Sequence, residues 1–347
     1  MTTTAGPPGA QPPAVPEAQR TAAPQGEPAG GRVRRLLRAV PPIWLVLAAV
    51  IFLIAWRNPT FVEPAPFLAF LRRCAPLAVL AAGQVFVIIA GEFDLSVGAL
   101  VTAVVVVAAR LSDGDAAHTW WLIPLLLAAG ALVGLVNGLV TTRLRVPSFI
   151  ATLGMLLVLG GAVFLWSGGA PRGSLADNFR QFGRFGVELP GLGQLPYAVL
   201  ILLAVGVALW LLLSHSRFGH QVYAAGGNPR AAALSGVDVR RVRTAAFVIS
   251  GLSAVVAGIL LGGFTGVTAE AGAGYEFQAI AAVVLGGAVL GGGRGSVGAS
   301  VAGALTLQSV FTLLNLLGLA KSLRDAVQGL IIIGAAAYAA HRLRRSG

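Results

Sequence analysis

Leu77–Ala109 reads LAVLAAGQVFVIIAGEFDLSVGALVTAVVVVAA, two apolar runs separated by Gly91-Glu92-Phe93-Asp94. A hydrocarbon core of about 30 Å takes about 20 residues of α-helix to cross. Leu77–Ala90 and Leu95–Ala109 read as two such spans with a break between them. A carboxylate at mid-span costs roughly 2.5–3.5 kcal/mol on insertion scales, so Asp94 must face protein, water or a helix end. Asp94 can cap a helix that starts at Leu95, with Ser96 in the first turn, and its charge suits the positive pole of that helix. Capping and direct contact with a solute are both open to it; Glu92 has no comparable cap role and reads as interfacial. The stretch predicts a membrane protein with a broken or re-entrant segment near Gly91–Gly98.

The rest of the chain agrees with that class. Of 347 residues, 56% are hydrophobic and 11% charged, and the mean hydropathy of +0.82 excludes an ordinary soluble domain. Further apolar runs lie at Pro41–Trp56, Trp121–Val140, Phe149–Trp166, Tyr197–Leu213, Thr244–Phe264, Phe277–Leu290, Ser296–Leu316 and Leu323–Ala340. The expectation is an all-α, polytopic protein of about ten transmembrane helices with both ends on one side. In a soluble protein a net charge of +12 would point to nucleic acid, but here the arginines cluster between apolar runs. Arg143 and Arg145, the Arg217–Arg243 group and the arginines after Ala340 fall on one side, the positive-inside pattern, and no nucleic-acid partner is expected. Arg72, Arg73, Arg172, Arg180 and Arg184 would fall on the other side, partly balanced by Asp177 and Glu188.

The 46 glycines are about twice the usual share, and in lipid small residues let helices approach closely. A single cysteine, Cys74, leaves no disulfide within the chain and reads as a packing residue.

Residues 1–31 are rich in Pro, Ala, Gly and Gln without periodicity and read as a disordered cytoplasmic tail. Residues 32–347 read as the membrane domain. The basic-then-apolar order at Arg32–Trp56 resembles a signal peptide, but the long preceding tail and the lack of a clear small-residue cleavage site favour an uncleaved first span.

The longest polar interval inside the apolar body is Ser214–Arg243, SHSRFGHQVYAAGGNPRAAALSGVDVRRVR. Asn228 can cap a helix start and Pro229 fits the first helical position. Arg230, Ala231, Ala232, Ala233 and Leu234 are good helix formers, and Gly236 can supply a left-handed stop. A helix this short is unstable alone, so the reading requires a partner protein for it to dock against.

A second glycine-rich turn, Leu285–Gly298, reads LGGAVLGGGRGSVG, with Arg294 as its only charge. Gly291, Gly292 and Gly293 can act as a hinge, or the turn can simply pack tightly. Ser96-Val97-Gly98-Ala99 recurs as Ser296-Val297-Gly298-Ala299, a weak internal echo of the kind left by transporter repeats. Through it, Arg294 could pair with Asp94; a solvated arginine is the alternative. The four histidines lie in polar intervals without metal-ligand spacing, so no metal is expected. Lys321 is not preceded by the glycines of GxxxxGK[ST], so any nucleotide hydrolysis belongs to another chain.

Several stretches together resemble the permease subunits of sugar-type ABC importers, the family handling ribose, xylose, arabinose and galactose. They are GEFDLSVGA at Gly91–Ala99, VPSFIATLGML at Val146–Leu156, SRFGHQVYAAGGNPRAAALSGV at Ser214–Val237, GYEFQAIAAVVLGG at Gly274–Gly287 and GGGRGSVGA at Gly291–Ala299. The resemblance implies a plasma-membrane permease, itself no enzyme, that moves a monosaccharide. It implies a homodimer of this chain, an ATPase subunit that binds ATP and Mg, an extracytoplasmic solute-binding protein, and lipid around the spans. It makes Asn228–Gly236 the coupling helix, and Asp94, Ser96, Gly98, Gly291, Gly292, Gly293, Ser296 and Gly298 the pathway or gate. Related permeases carry branched-chain amino acids or nucleosides, and an ion-driven secondary transporter is the rival from another class.

Overall fold

The computed structural model describes residues 41–320 except Pro171 and Leu192, with residues 2–3 and scattered positions between 323 and 334. The expected tail, the arginines at 32–38, the last span and the arginines beyond it lie outside the described residues, apart from those isolated positions. The fold below is that of the unit from Pro41 onward.

Its helices are α1 (Pro42–Arg57), α2 (Pro64–Ile89), α3 (Val97–Ser112), α4 (Thr119–Thr142), α5 (Ser148–Ser167), α6 (Asp177–Arg184), α7 (Tyr197–His215), α8 (Arg217–Gly227), α9 (Pro229–Leu234), α10 (Val239–Thr265), α11 (Tyr275–Leu285) and α12 (Val297–Leu316). Six segments are long and apolar enough to cross a membrane: α2, α4 with the 3₁₀ turn before it, α5, α7, α10 and α12. The shorter apolar helices α1, α3 and α11 complete the apolar set among the described residues. Six long and three shorter apolar helices stand among the described residues against the expected count of about ten, and the last expected span, Leu323–Ala340, lies outside them apart from isolated positions.

Two helices form the centre. In the most apolar stretch of α2, 89% of residues are buried, and in α10 72%. The corresponding share is 17% in α5 and 22% in α7, although both are more apolar than α2. Helix α10 is as apolar as α5, so high hydropathy alone does not place a helix at the centre, and the exposed apolar faces of α5 and α7 are what lipid as solvent demands. Trp56, Trp120 and Trp166 are exposed where α1 ends, α4 starts and α5 ends, a placement typical of the membrane–water interface.

Close approach fixes the central pair against α4. Gly130, Gly134 and Gly138 recur every four residues along one face of α4. A Cβ on Gly134 would strike the Phe247 carbonyl and the Val248 Cα of α10, and one on Gly130 would meet Gly251. This is the small-residue spacing by which membrane helices bring their backbones together.

The Gly- and Pro-containing interval between α5 and α7 carries structure of its own. Phe179 of α6 is buried, and Gly183 lies against the backbone of α10 at Leu260 and Gly263. Strands β1 (Gly186–Leu189) and β2 (Gly193–Pro196) form an antiparallel hairpin, so the all-α expectation needs this one correction. The second span is also longer than expected. Helix α2 begins at Pro64 and includes Arg72, which donates from Nη1 to the Arg184 carbonyl at 2.9 Å and sits 5.1 Å from the Phe264 ring centre.

Candidate functional site

Helix α2 ends at the expected break, and its ending is a complete Schellman motif. Gly91 is left-handed at φ 83°, its N–H donates to the Ile88 carbonyl, and the Glu92 N–H donates to Val87, each at 3.0 Å. The chain then runs non-helically to Ser96, the N-cap of α3. Helix α3 starts at Val97, two residues beyond the expected Leu95, and the Phe93, Leu95 and Ser96 N–H groups before it are taken by side chains.

A non-helical backbone at membrane depth must find hydrogen bonds inside the protein. Helix α5 supplies two, from positions one turn apart. Ser148 Oγ accepts from the Phe93 N–H and Thr152 Oγ1 from the Leu95 N–H, both at 3.1 Å. Asp94 Oδ1 accepts from the Ser96 N–H at 3.1 Å and the Ser96 hydroxyl at 2.6 Å. Asn137 Nδ2 of α4 donates to the Ser96 hydroxyl oxygen at 2.8 Å, and Gln84 Nε2 of α2 donates to the Asp94 carbonyl at 3.0 Å. Ser250 Oγ of α10 lies 2.9 Å from Asp94 Oδ2 and 3.0 Å from Gln84 Oε1. Asp94, Ser96, Gln84, Asn137 and Ser250 are each at most 1% exposed, so Asp94 and Ser96 together clamp α2, α4 and α10 around the break.

Sequence reading found Asp94 and Ser96 but not Gln84, Asn137, Ser148, Thr152 or Ser250. Their one common signal is a polar side chain isolated in an apolar helix, which lipid exposure would penalise.

The glycine turn reaches a different part of the break. The Gly293 N–H donates to the Ile89 carbonyl at 2.8 Å. A Cβ on Gly292 would lie 3.0 Å from the Cα of both Gly226 and Gly91, and one on Gly226 would strike the Ile89 carbonyl. Three chain segments thus meet backbone to backbone: the end of α2, the end of α8 and the 291–293 turn. The Tyr223 hydroxyl of α8 also donates to the Gly295 carbonyl at 2.8 Å. Beside this junction, Glu92 Oε1 pairs with Arg243 Nη1 of α10 at 2.6 Å. Glu92, expected at an interface, is 8% exposed and paired. Arg294 is exposed and lies outside the Asp94 hydrogen-bond network, so the suggested Arg294–Asp94 pair does not form.

The internal echo has a structural counterpart. Helix α11 also ends in a Schellman motif, at left-handed Gly287, and the chain then leads to Ser296, the N-cap of α12. The two serines differ in use. Ser296 Oγ accepts from the Ala299 N–H at 3.2 Å, whereas the Ser96 hydroxyl is turned back to Asp94. Gly98 packs tightly against Glu276 and the Gly272 carbonyl, while a Cβ on Gly298 would meet nothing within 4 Å. Glu276, at the start of α11, is 8% exposed and borders a cavity of about 230 Å³ with Gly98, Thr102, Gly160 and Glu270.

At the Asn228–Gly236 interval, the Asn228 side chain accepts from the Ala231 N–H at 3.0 Å, Pro229 opens α9, and Gly236 is left-handed at φ 86°. Ala232 is buried, while Arg230, Ala231 and Ala233 are exposed and Leu234 is 91% exposed. Helices α8 and α10 carry side-chain caps too, from Ser216 to the Gly219 N–H and from Asp238 to the Arg241 N–H. These caps satisfy backbone N–H groups at helix starts that lie among polar sequence.

An apolar bundle clamped around buried polar breaks, with a capped basic helix standing out at one end, defines a multi-pass membrane transport protein. The chain belongs to the family described as branched-chain amino acid transport system / permease component, whose model matches residues 67–336. It is 35% identical over 291 residues to the ribose import permease protein RbsC of Escherichia coli strain K12, covering 83% of this chain and 90% of that one. It is 36% identical to the autoinducer 2 import system permease protein LsrC of Enterobacter sp. strain 638, covering 74% of each. It is 33% identical to the galactose/methyl galactoside import permease protein MglC of Haemophilus influenzae, covering 79% of this chain and 84% of that one. No solved structure matches it.

Proposed function

We infer that this chain is the transmembrane permease subunit of an ATP-driven, binding-protein-dependent importer of a monosaccharide, residing in the plasma membrane with α9 on the cytoplasmic side. The solute class follows two of the relatives, which are import permeases for ribose and for galactose/methyl galactoside. Hydrolysis of ATP takes place on a partner subunit, and a second copy of this chain completes the pore.

The observation that carries the reading is the three-glycine junction. Helix α9 presents Arg230, Ala231 and Leu234 to a partner, and α8 joins it directly to the junction at Gly226 and Gly227. A push on α9 is passed to the end of α2 and to the 291–293 turn through backbone contact, and the Glu92–Arg243 pair ties α10 to the same place. Loosening that junction changes the path past Gly91–Gly98, which is the behaviour required of a gate driven from outside the membrane. An ion-driven transporter needs a coupling site open to ions. Asp94 is 1% exposed, and both its oxygens are engaged by protein donors.

The test is recovery of the tagged chain from its native membrane in mild detergent, with mass spectrometry of the proteins retained. An ATPase subunit should come down with the wild type and be lost from the R230E/A231E double variant, with membrane insertion unchanged. A co-purified binding protein would then report the solute through its bound ligand. A chain that purifies alone and moves solute in liposomes under an ion gradient would overturn the reading.

A further inference from the structure

We propose that the groove between α4, α7 and α10, at the end of the bundle that carries α9, is a binding site for an anionic phospholipid. Its phosphate would be held by Arg143 and Arg240, and an acyl chain would lie along Leu135 and Leu139.

The groove encloses about 710 Å³. Its lining changes character along the helix axes. On α4 it passes from Leu135 and Leu139 to Thr142 and Arg143, and on α10 from Ile249 and Val248 through Thr244 to Arg241 and Arg240. At 1.5 Å per residue, the eight residues from Leu135 to Arg143 cover about 12 Å. That is most of one leaflet of a hydrocarbon core about 30 Å thick. The site is therefore apolar at membrane depth and basic at the membrane surface, the profile of a single lipid molecule. A soluble partner reaches the basic end but not the apolar one.

The charges decide which lipid. Asp238, the acidic residue at the rim, is occupied twice over, pairing with Arg241 Nε at 3.0 Å and capping α10. Arg143 and Arg240 are both exposed, and neither has an acidic partner among the described residues. Arg240 also borders an adjoining cavity of about 360 Å³ whose carboxylate, Glu92, is committed to Arg243. Two uncompensated guanidiniums at the end of an apolar groove match a phosphodiester with no balancing cation, since arginine binds phosphate through a planar fork of donors. Basic pockets between membrane helices on the cytoplasmic side recognise anionic headgroups for this reason.

The experiment is native mass spectrometry of the full-length chain in detergent, titrated with phosphatidylglycerol or with phosphatidylcholine of the same acyl chains. Wild type should retain phosphatidylglycerol in preference to phosphatidylcholine. The R143Q/R240Q double variant should bind phosphatidylglycerol roughly thirtyfold more weakly, following the usual contribution of each basic residue at an anionic surface. Removing Arg172, an exposed arginine in the interval between α5 and α6, should leave that affinity unchanged. A245W, which fills the apolar floor, should weaken both lipids. The proposal fails if the two lipids bind wild type equally or if the double variant keeps its affinity. It also fails if L139C crosslinks to a second copy or to another protein in native membranes while no lipid is retained. Lipid binding to the isolated chain does not depend on its solute or its ATPase, so its failure would leave the importer reading standing.

Discussion

Asp94 sits where the hydrogen-bond count is short by one proton. The Ser250 hydroxyl has a single hydrogen and faces two acceptors, Asp94 Oδ2 and Gln84 Oε1. An asparagine at position 94 would resolve this. Its oxygen would still accept from Ser96, and its amide would donate to Ser250, freeing the Ser250 proton for Gln84. Asp94→Asn is therefore expected to leave the melting temperature in detergent equal to wild type or higher. Asp94→Ala would leave the Ser96 donors unpaired, at roughly 1–3 kcal/mol each, and should lower it clearly. If Asp94 only clamps the break, the asparagine variant transports normally; if the charge lines the path, the variant folds and fails. An asparagine variant that melts well below wild type would refute the proton count. The sequence showed Asp94 as costly and Ser96 as its neighbour, since both lie in one octapeptide. Ser250 is 156 positions away, and no local signal connects it.

At the scale of elements, two features of the inner loop can be separated by mutation. Asn228→Ala removes the α9 cap at a cost of about 1 kcal/mol, enough to fray a helix of six residues. The expected result is normal expression with weaker retention of the ATPase in the pull-down; undiminished retention would mean that α9 is held by something other than its cap. Gly226→Ala acts at the other end of the same lever. Its methyl would run into the Ile89 carbonyl, and backbone on both sides leaves little room to yield. Retention of the ATPase should persist in this variant while transport is lost. Normal uptake would show that the junction is not the route of coupling. The α9 boundaries were legible because cap, proline and glycine are local signals. The junction was not, because Gly91 and Gly292 each announce a turn, but nothing local says that the two turns meet Gly226 near the end of α8. Likewise α2 proved longer than its apolar run, since Pro64 and Pro66 start a helix and the Arg72–Arg184 contact settles its basic turn.

For the whole molecule, the six tryptophans offer a direct readout. Trp44, Trp56, Trp120, Trp166 and Trp210 are exposed at the periphery, and Trp121 is partly buried. In proteoliposomes, brominated acyl chains should quench most of the intrinsic fluorescence. A variant keeping Trp166 alone separates lipid from a second copy of the chain, because pairing across α5 would shield it. Strong quenching there would place the dimer interface elsewhere. Composition and run length were enough to read a polytopic membrane protein, because lipid imposes both on every span. They were not enough to count the spans. Shorter helices such as α3 and α11 are indistinguishable from full ones until the non-helical segments beside them find their partners in Thr152 and Thr102.

The glycine junction also constrains how this machine can be altered. Side chains between moving parts act as cushions: they change rotamer, absorb part of a displacement and tolerate replacement by neighbours of similar size. Where main chain bears directly on main chain, there is no cushion, and under the proposed function a displacement of α9 would reach the Gly91–Gly98 break with little slack. Under the same reading, the solute would be exchanged by remodelling the mouth and the delivering protein. The hinge underneath would have to be carried over intact, so a chimera that joins halves of two such permeases should be cut away from Gly91, Gly226 and Gly292.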